Sequence, residues 1–280
     1  MPSRPAWGII IAYDAGGIVT NYHDSGAGDP VLLIHGSGPG VTAWANWRLN
    51  MPVLAETFRV IAPDMVGFGY TQSPSQAIRD KRVWVDHLAA FLDALGVEKV
   101  SIVGNSFGGA LTLAFMVAHP KRVERAVLMG AAGLDFPLTP ALDLVWGYQP
   151  SLEIMRRSLE YLAWDHSRLT DDLIRSRYEA SIRPGAHEPY NATFGGKDRQ
   201  ANIAMLASRE ADLAQLDHEV LILHGKADEV IPQEVSLRLT NILRKSDLQF
   251  YGECGHWVQI ERATTFNRVV TNFFQNGLKA

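Results

Sequence analysis

The alternation of short apolar runs with helix-patterned segments limits the fold of this chain more than any other feature. Six runs rich in Val, Ile and Leu have the length of buried strands: VLLI at 31–34, FRVIAPD at 58–64, KVSIV at 99–103, RAVLMG at 125–130, VLILHG at 220–225 and LQFYG at 248–252. Segments near 81–95, 107–119, 234–244 and 263–275 repeat apolar residues at helical spacing. The pattern predicts an α/β fold, with a mostly parallel sheet and helices on both faces.

One region interrupts this alternation. Between about 135 and 210, PSLEIMRRSLEYL and TDDLIRSRYEASI predict amphipathic helices, with Thr170 as an N-cap, and no convincing buried strand occurs. Because the strand–helix pattern resumes afterwards, we predict a helical lid inserted into one fold rather than a separate domain. The predicted organisation is a core at 1–134, a lid at 135–210 and the rest of the core at 211–280.

Composition excludes several classes of protein. The 280 residues carry a net charge of −4 and no long Lys/Arg run, so nucleic-acid binding has no electrostatic support. The first thirty residues make a poor signal peptide, and no stretch approaches the ~20 apolar residues that span a bilayer. The single cysteine, Cys254, excludes an internal disulfide framework and a multi-cysteine metal site. A cytoplasmic enzyme without membrane contact is the expectation.

A serine surrounded by glycines lies between a predicted strand and a predicted helix. Gly104-Asn105-Ser106-Phe107-Gly108 matches G-x-S-x-G in the strand–turn–helix context that this motif requires. Small neighbours let the chain turn sharply without clashing, which lifts the Ser106 hydroxyl clear of the sheet. The motif therefore predicts a nucleophilic serine, and an incidental serine in a glycine-rich turn is the alternative.

A serine hydroxyl needs a base, and His256 is the predicted one. It lies in the glycine-rich loop of LQFYGECGHWVQIE, between the last predicted strand and the terminal helix. His35 and His224 follow strands and are expected to support the strand ends. Solvated or capping roles are expected for the others: His23, His87, His119, His166, His187 and His218.

The imidazole in turn needs an acid, and Asp228 in VLILHGKADEVIP supplies it. Ser106, Asp228 and His256 then follow the chain order of nucleophile, acid and base in α/β-hydrolases. Asp135 is the alternative acid, and Glu229 is a weaker candidate. Asp64, in APDMVGFG, is expected to shape a turn.

A glycine-rich loop, LIHGSGPGVTAW at 33–44, follows the first strong strand. It occupies the position of the loop that contributes a backbone N–H to the oxyanion hole. The predicted donors are the N–H of Phe107 and that of Ser37 or Gly38. A phosphate-binding loop is the competing interpretation, but no G-K-[ST] follows, and Pro39 lacks an N–H.

Over nearly its whole length the chain resembles the meta-cleavage product hydrolases, carbon–carbon bond hydrolases of bacterial aromatic degradation. The motifs that carry the resemblance are TNYHDSGAGDPVLLIHGSGPGVTAWANWR, VIAPDMVGFGYT, VGNSFGGALTLA, LMGAAG, RYEASIRPG and CGHWVQIERATTFNRVV. The sequence looks closest to enzymes for monocyclic products, such as 2-hydroxymuconate semialdehyde and its 6-alkyl relatives. The resemblance implies an α/β-hydrolase fold, no metal, no cofactor and a homo-oligomer.

The resemblance also implies substrate-binding residues. A polar subsite for the dienoate carboxylate and the 2-oxygen would comprise Asn46, Asn105, Arg177 and Trp257. An apolar subsite for the substituent on the scissile carbonyl would comprise Ala132, Leu142, Trp146 and Val230. As alternatives, Arg177 is a surface residue paired with Asp172 or Glu179, Asn105 only satisfies the turn, and the apolar residues belong to the core.

By the same resemblance, the substrate is a 2-hydroxy-6-oxohexa-2,4-dienoate, cleaved to 2-hydroxypenta-2,4-dienoate and formate or another carboxylic acid. Two other functions fit the same residues. A general carboxylesterase would use the same three side chains, and a non-catalytic receptor on this scaffold would bind a small ligand without turnover. The substituent on carbon 6 is left open.

Overall fold

The computed structural model describes residues 9–15, 17–74 and 76–278. Within them, one sheet contains eight strands: β1 (Ile9–Ala15), β2 (Ile18–Ser25), β3 (Pro30–Ile34), β4 (Arg59–Pro63), β5 (Val100–Asn105), β6 (Val123–Met129), β7 (Glu219–Gly225) and β8 (Ser246–Tyr251). Their spatial order is β1-β2-β4-β3-β5-β6-β7-β8. The strands from β4 to β8 pair in parallel, whereas β1 with β2 and β2 with β4 are antiparallel.

All six predicted strands are confirmed as β3 to β8, with bounds shifted by no more than two residues. The sequence interpretation missed the antiparallel pair β1 and β2. The prediction that β8 is a buried strand is wrong. Its residues alternate between half-buried and exposed up to Tyr251, because β8 is the last strand of the sheet.

Thirteen α-helices lie in the described part of the chain. They are α1 (Ala43–Trp47), α2 (Met51–Leu54), α3 (Arg82–Ala94), α4 (Phe107–Ala118), α5 (Pro140–Trp146), α6 (Leu152–Leu162), α7 (Asp171–Ser181), α8 (His187–Phe194), α9 (Gln200–Leu206), α10 (Glu210–Leu213), α11 (Gln233–Ile242), α12 (Val258–Glu261) and α13 (Ala263–Asn276). Short 3-10 turns occupy Pro120–Arg122 and His166–Arg168. The four helices predicted from periodicity correspond to α3, α4, α11 and α13.

Apolar layers cover both faces of the parallel strands. Successive residues of a strand point to opposite faces, so Leu32 and Ile34 of β3 join one buried cluster while Val31 and Leu33 join the other. The first cluster contains the inner faces of α3 and α4, and the second contains that of α13. Coverage on both faces explains why these strands read as continuous apolar runs.

Helices α5 to α10 lie between β6 and β7 and pack over the carboxyl ends of the strands. We call this segment, residues 140–213, the helical insertion. The Thr170 side chain accepts a hydrogen bond from Leu173 N–H, so its predicted N-cap role is confirmed. Phe194 of the insertion packs against Phe107 of α4 and stacks on Trp146. Within the described residues, no helix is both long and apolar enough to cross a membrane.

Candidate active site

Ser106 lies in the sharp turn between β5 and α4, where it is the N-cap residue. Its backbone has φ 55° and ψ −114°, and among the described residues only Glu253 is another non-glycine with positive φ. A β-carbon in this region costs about 1–3 kcal/mol, so the surrounding structure must hold the turn in place. The predicted strained turn at Ser106 is confirmed.

The glycines beside this serine are required by close packing of the backbone. A Cβ on Gly108 would lie 2.3 Å from the carbonyl oxygen of Ile34, and one on Gly104 would lie 2.4 Å from that of Gly108. Neither backbone oxygen can move aside without shifting a strand or a helix. The first turn of α4 can therefore sit directly on the end of β3 only because both side chains are absent.

His256 and Asp228 come together although 28 residues separate them. The Nδ1 of His256 lies 2.7 Å from Oδ2 of Asp228, at the ends of the loops that follow β8 and β7. A Cβ at Gly130 would lie only 3.1 Å from both of these atoms, so the glycine that ends the LMG run makes room for the pair. This contribution of Gly130 was not predicted from the sequence.

Asp228 is a fully buried carboxylate with four donors around it. Burial alone would raise its pKa, but His256 and His224 and the backbone N–H of Ile231 hold that pKa below its usual value. Its Oδ1 accepts hydrogen bonds from Val230 N at 2.8 Å and Ile231 N at 2.9 Å. The carboxylate therefore stays charged and fixed, and it orients the His256 ring with Nδ1–H toward itself.

Four of the remaining histidines are buried: His23, His35, His87 and His224. His35 Nδ1 donates to Gly36 O, its Nε2 accepts from Met65 N–H, and burial lowers its pKa to about 4. His224 Nδ1 lies 2.7 Å from Ser236 Oγ. These contacts confirm that both support strand ends. The expectation of solvated or capping roles is wrong for His23 and His87, because both are 3% exposed.

The alternative acids lie elsewhere. Asp135 is exposed, and its carboxylate is 3.5 Å from Gln200 Nε2. Glu229 is also exposed. Asp64 accepts hydrogen bonds from Ala43 N–H and Tyr70 N–H, which confirms its predicted role in shaping a turn.

The predicted oxyanion loop lies against Ser106. A Cβ on Gly36 would be 3.5 Å from the Ser106 Cβ, and Ser37 and Gly38 line the same cavity as Ser106. Backbone hydrogen bonds to the carbonyl of Ser106 begin with Gly109 N–H, so the N–H of Phe107 precedes the hydrogen-bonded turns of α4. The loop and the first residue of α4 thus both adjoin Ser106.

A cavity, which we call the main cavity, lies between the sheet and the helical insertion. None of its lining residues is exposed at the surface. The lining includes ten of the predicted site residues: Ser37, Gly38, Asn46, Asn105, Ser106, Leu142, Arg177, Val230, His256 and Trp257. Residues from both halves of the core and from the insertion therefore meet around one cavity.

The polar side of the cavity carries three side chains with hydrogen-bond donors, and two of them have no acceptor in the part of the chain that the structure describes. Among the described residues, the Asn46 Nδ2 is buried and has no hydrogen-bond partner. Burial and the neighbouring Arg48 lower the pKa of Arg177 to about 10, with no carboxylate beside it, so Arg177 is unpaired but protonated at neutral pH. The pairing of Arg177 with Asp172 or Glu179 is not seen. The Asn105 Nδ2 donates to Met129 O at 3.3 Å.

The apolar side of the cavity includes residues that the sequence interpretation missed. Leu142 and Val230 line it as predicted, and Val145 lies beside them. One face of α6 contributes four further residues: Met155, Ser158, Leu159 and Leu162. Their spacing of three, four and seven residues is the signal of a single helix face and could have identified them.

The comparisons with known proteins agree with this geometry. The profile of the α/β-hydrolase fold family matches residues 29–263. A 2-hydroxymuconate semialdehyde hydrolase from a Pseudomonas species is 53% identical over 92% of this chain and 91% of its own length. A 2-hydroxy-6-oxo-2,4-heptadienoate hydrolase from Pseudomonas putida is 55% identical, with coverage of 92% and 94%. The structure of a meta-cleavage product hydrolase from Pseudomonas fluorescens, solved with acetates, superposes with a TM-score of 0.93 at 51% identity, covering 96% and 98%.

The chain belongs to the meta-cleavage product hydrolases. As a member of the α/β-hydrolase superfamily, it has the predicted fold, with a mostly parallel sheet flanked by helices.

Two predicted subsite residues of this hydrolase do not line the main cavity. Trp146 lies behind the cavity wall, where its Nε1–H donates to Ser37 Oγ at 3.0 Å. Ala132 is 5% exposed, and its backbone N–H donates to the carbonyl oxygen of Ser106 at 3.1 Å. Both residues therefore support the wall and the serine turn, a distinction that depends on side-chain direction and cannot be read from spacing.

Proposed function

We propose that this protein hydrolyses a carbon–carbon bond in 2-hydroxy-6-oxohexa-2,4-dienoate-type ring-fission products of aromatic degradation. The products are 2-hydroxypenta-2,4-dienoate and formate or another carboxylic acid. The observation that carries the proposal is the presence of Ser106, His256 and an unpaired Arg177 in the lining of one cavity. Relatives at 53% and 55% identity that act on such dienoates support it.

An unpaired, buried guanidinium in the cavity wall selects for an anionic ligand. A cation taken out of water is costly unless an anion compensates it, and a carboxylate can do so with charge-assisted hydrogen bonds. Asn46 adds a second donor without a partner. A neutral ester would leave both groups unsatisfied, so the cavity favours the dienoate over the substrate of a general carboxylesterase.

The polar subsite prepares the leaving carbon. Arg177 and Asn46 hold the carboxylate and the 2-oxygen, with Asn105 and Trp257 beside them. They favour the 2-oxo tautomer, in which the proton of the 2-hydroxyl has moved to carbon 5. The electron pair released from carbon 5 can then be delocalised onto the 2-oxygen, and without such a sink this bond does not hydrolyse.

Bond cleavage follows attack by Ser106. Its Oγ adds to the carbonyl at carbon 6 while His256 takes the hydroxyl proton, and Asp228 stabilises the resulting imidazolium. The N–H of Phe107 and that of Ser37 or Gly38 stabilise the oxyanion, an effect of about 3 kcal/mol for each such donor. Collapse breaks the bond between carbons 5 and 6, and the electron pair moves to the 2-oxygen. That oxygen gains the proton that His256 took from Ser106, which leaves His256 neutral.

Water completes the reaction. His256 takes a proton from water, the hydroxide adds to the acyl-serine, and the ester bond breaks to release the acid and regenerate Ser106. The substituent on carbon 6 lies among Leu142, Val230 and the α6 face, which line the apolar side of the cavity. We propose that segment 135–210 acts as a lid that excludes bulk water while the acyl-serine forms.

An assay against a panel of dienoates tests the reaction class. Substrates with hydrogen, methyl, isopropyl or phenyl on carbon 6 would be followed by loss of absorbance, with simple nitrophenyl esters as the comparison. The proposal predicts that at least one dienoate has a higher kcat/KM than any ester. Fast ester turnover with no dienoate cleavage would favour the carboxylesterase, and dienoate binding without turnover would favour a receptor.

Three properties stay predictions: a homo-oligomer, a cytoplasmic location and a reaction that needs no added metal or organic cofactor. The second follows from composition, and the other two follow from the family resemblance. Light scattering of the purified protein tests the first, and fractionation of the cells that produce it tests the second. Activity after exhaustive dialysis against a chelator tests the third.

A further inference from the structure

A second recess adjoins the main cavity on the far side of Arg177 and Trp257. We call it the side recess; the residues that matter for its role are Arg48, Leu49, Arg168, Leu173, Arg177 and Trp257. Arg177 and Trp257 line both spaces, so they form a shared wall. The side recess reaches the surface, because Leu49 is 42% exposed and the Arg168 side chain is 54% exposed.

Positive charge predominates in the side recess. Arg48 donates to the carbonyl of Ala45, and burial lowers its pKa without an opposing carboxylate. Arg168 pairs with Asp165, at 3.1 Å. The one carboxylate in the lining belongs to Glu261, and its oxygens accept hydrogen bonds from the N–H groups of Trp164, Asp165 and Gly255. Within the described chain, Arg48 therefore has no anionic partner.

Arg48 and Arg177 repel each other, since the charge of Arg48 contributes to the lowered pKa of Arg177. Two guanidinium groups close together, with no counter-ion from the described chain, favour an anion near either of them. Arg48 lines only the side recess, whereas Arg177 lines both spaces. A carboxylate moving from the side recess toward the main cavity would be attracted first by Arg48 and then by Arg177.

We propose that the side recess is the entrance for the anionic substrate, and that Arg48 steers the substrate carboxylate toward Arg177 and Trp257. The inference rests on the proposed function, because it requires a substrate with a carboxylate. Positive charge along a narrow approach raises association rates, and salt screens the effect. Arg48 is then a positioning residue for binding that takes no part in the chemical steps.

Stopped-flow association of a dienoate with the Ser106→Ala protein tests the proposal without interference from turnover. At low salt, adding Arg48→Gln should lower the association rate constant about three- to tenfold and weaken its dependence on salt. Arg48→Lys should keep most of the rate, because it keeps the charge. Arg175→Gln is the matched control: Arg175 is an exposed residue of α7 that lines neither space.

A second variant blocks the route sterically. Leu173→Trp should slow association at every salt concentration, and it decides the question if Arg48→Gln does not fold. Unchanged association rates in both variants, or equal losses in Arg48→Gln and Arg175→Gln, would overturn the proposal. These outcomes leave the proposed function intact, whereas failure of the wild-type protein to cleave any dienoate would remove the proposed function itself.

Discussion

Arg177 shows how a single residue in this protein can favour function at the cost of stability. Its guanidinium lies in a cavity wall without a carboxylate partner in the described chain, and burial holds its pKa near 10. At neutral pH the protein therefore keeps a charge that is destabilised in the fold relative to the unfolded chain. A group held in this way outside an ion pair is typical of a binding site.

Removing that charge should stabilise the protein and impair the enzyme. We expect Arg177→Met to raise the free energy of unfolding by about 1–3 kcal/mol, because a buried, uncompensated cation is replaced by an apolar side chain. The same variant should lower kcat/KM for the dienoate at least tenfold. Urea denaturation and steady-state kinetics measure the two effects, and a less stable or fully active variant would contradict this account.

At the scale of elements, the approach of α4 to the end of β3 positions the serine. Gly108→Ala would place a Cβ 2.3 Å from the Ile34 carbonyl oxygen, so α4 must move away from the strand. We expect the free energy of unfolding to fall by about 1–3 kcal/mol, together with a loss of activity.

Gly196→Ala is the control for that substitution. A Cβ at Gly196 has no other atom within 4 Å, so its effect on stability should stay within about 0.5 kcal/mol. Thermal unfolding and assay of both proteins compare the two positions. Equal behaviour of the two variants would show that the close approach of α4 to β3 is unimportant.

Asp64 connects several elements and gives a pH-dependent contribution to stability. It accepts hydrogen bonds from Ala43 N–H at the start of α1, from Asn21 Nδ2 on β2 and from Tyr70 N–H. Burial raises its pKa from 3.8 to about 6. Between these pH values the folded protein holds a proton on Asp64 that the unfolded chain has released. The stabilisation from that proton is therefore complete below pH 4 and declines as the pH rises to 6.

Asp64→Asn should remove that pH dependence. We compare the free energy of unfolding of the wild-type protein with that of the variant. The difference should fall by about 3 kcal/mol between pH 4 and pH 6 and stay constant above pH 6. Chemical denaturation at a series of pH values measures the difference. A difference that rises with pH would show that the Asp64 pKa is lowered in the fold instead.

The elements that could be predicted from the sequence are those with an unambiguous local pattern. Strands β3 to β7 are buried on both faces and read as continuous Val/Ile/Leu runs. Strands β1 and β2 lie at the antiparallel edge, where polar residues such as Asn21 and Asp24 interrupt the pattern. Ser106 could be found because its motif combines fixed spacing with a fixed context.

At the scale of the whole molecule, the sequence predicts which residues belong to the site better than it predicts where their side chains point. Chain order was enough to pair Asp228 with His256. The family resemblance placed Trp146 in the apolar subsite, but its indole donates to Ser37 behind the wall. The side recess and its shared wall arise only when α1, α7 and α12 pack together, so no local pattern could indicate them.

The central claim is that side chains distant in the chain converge on one cavity and cleave a dienoate through Ser106. The most direct test compares the wild-type and Ser106→Ala proteins in a single-turnover reaction with the preferred dienoate. The account predicts that Ser106→Ala folds and binds the dienoate, but that its cleavage rate is at least about a thousandfold lower. Cleavage by Ser106→Ala at a rate near that of the wild-type protein would contradict it.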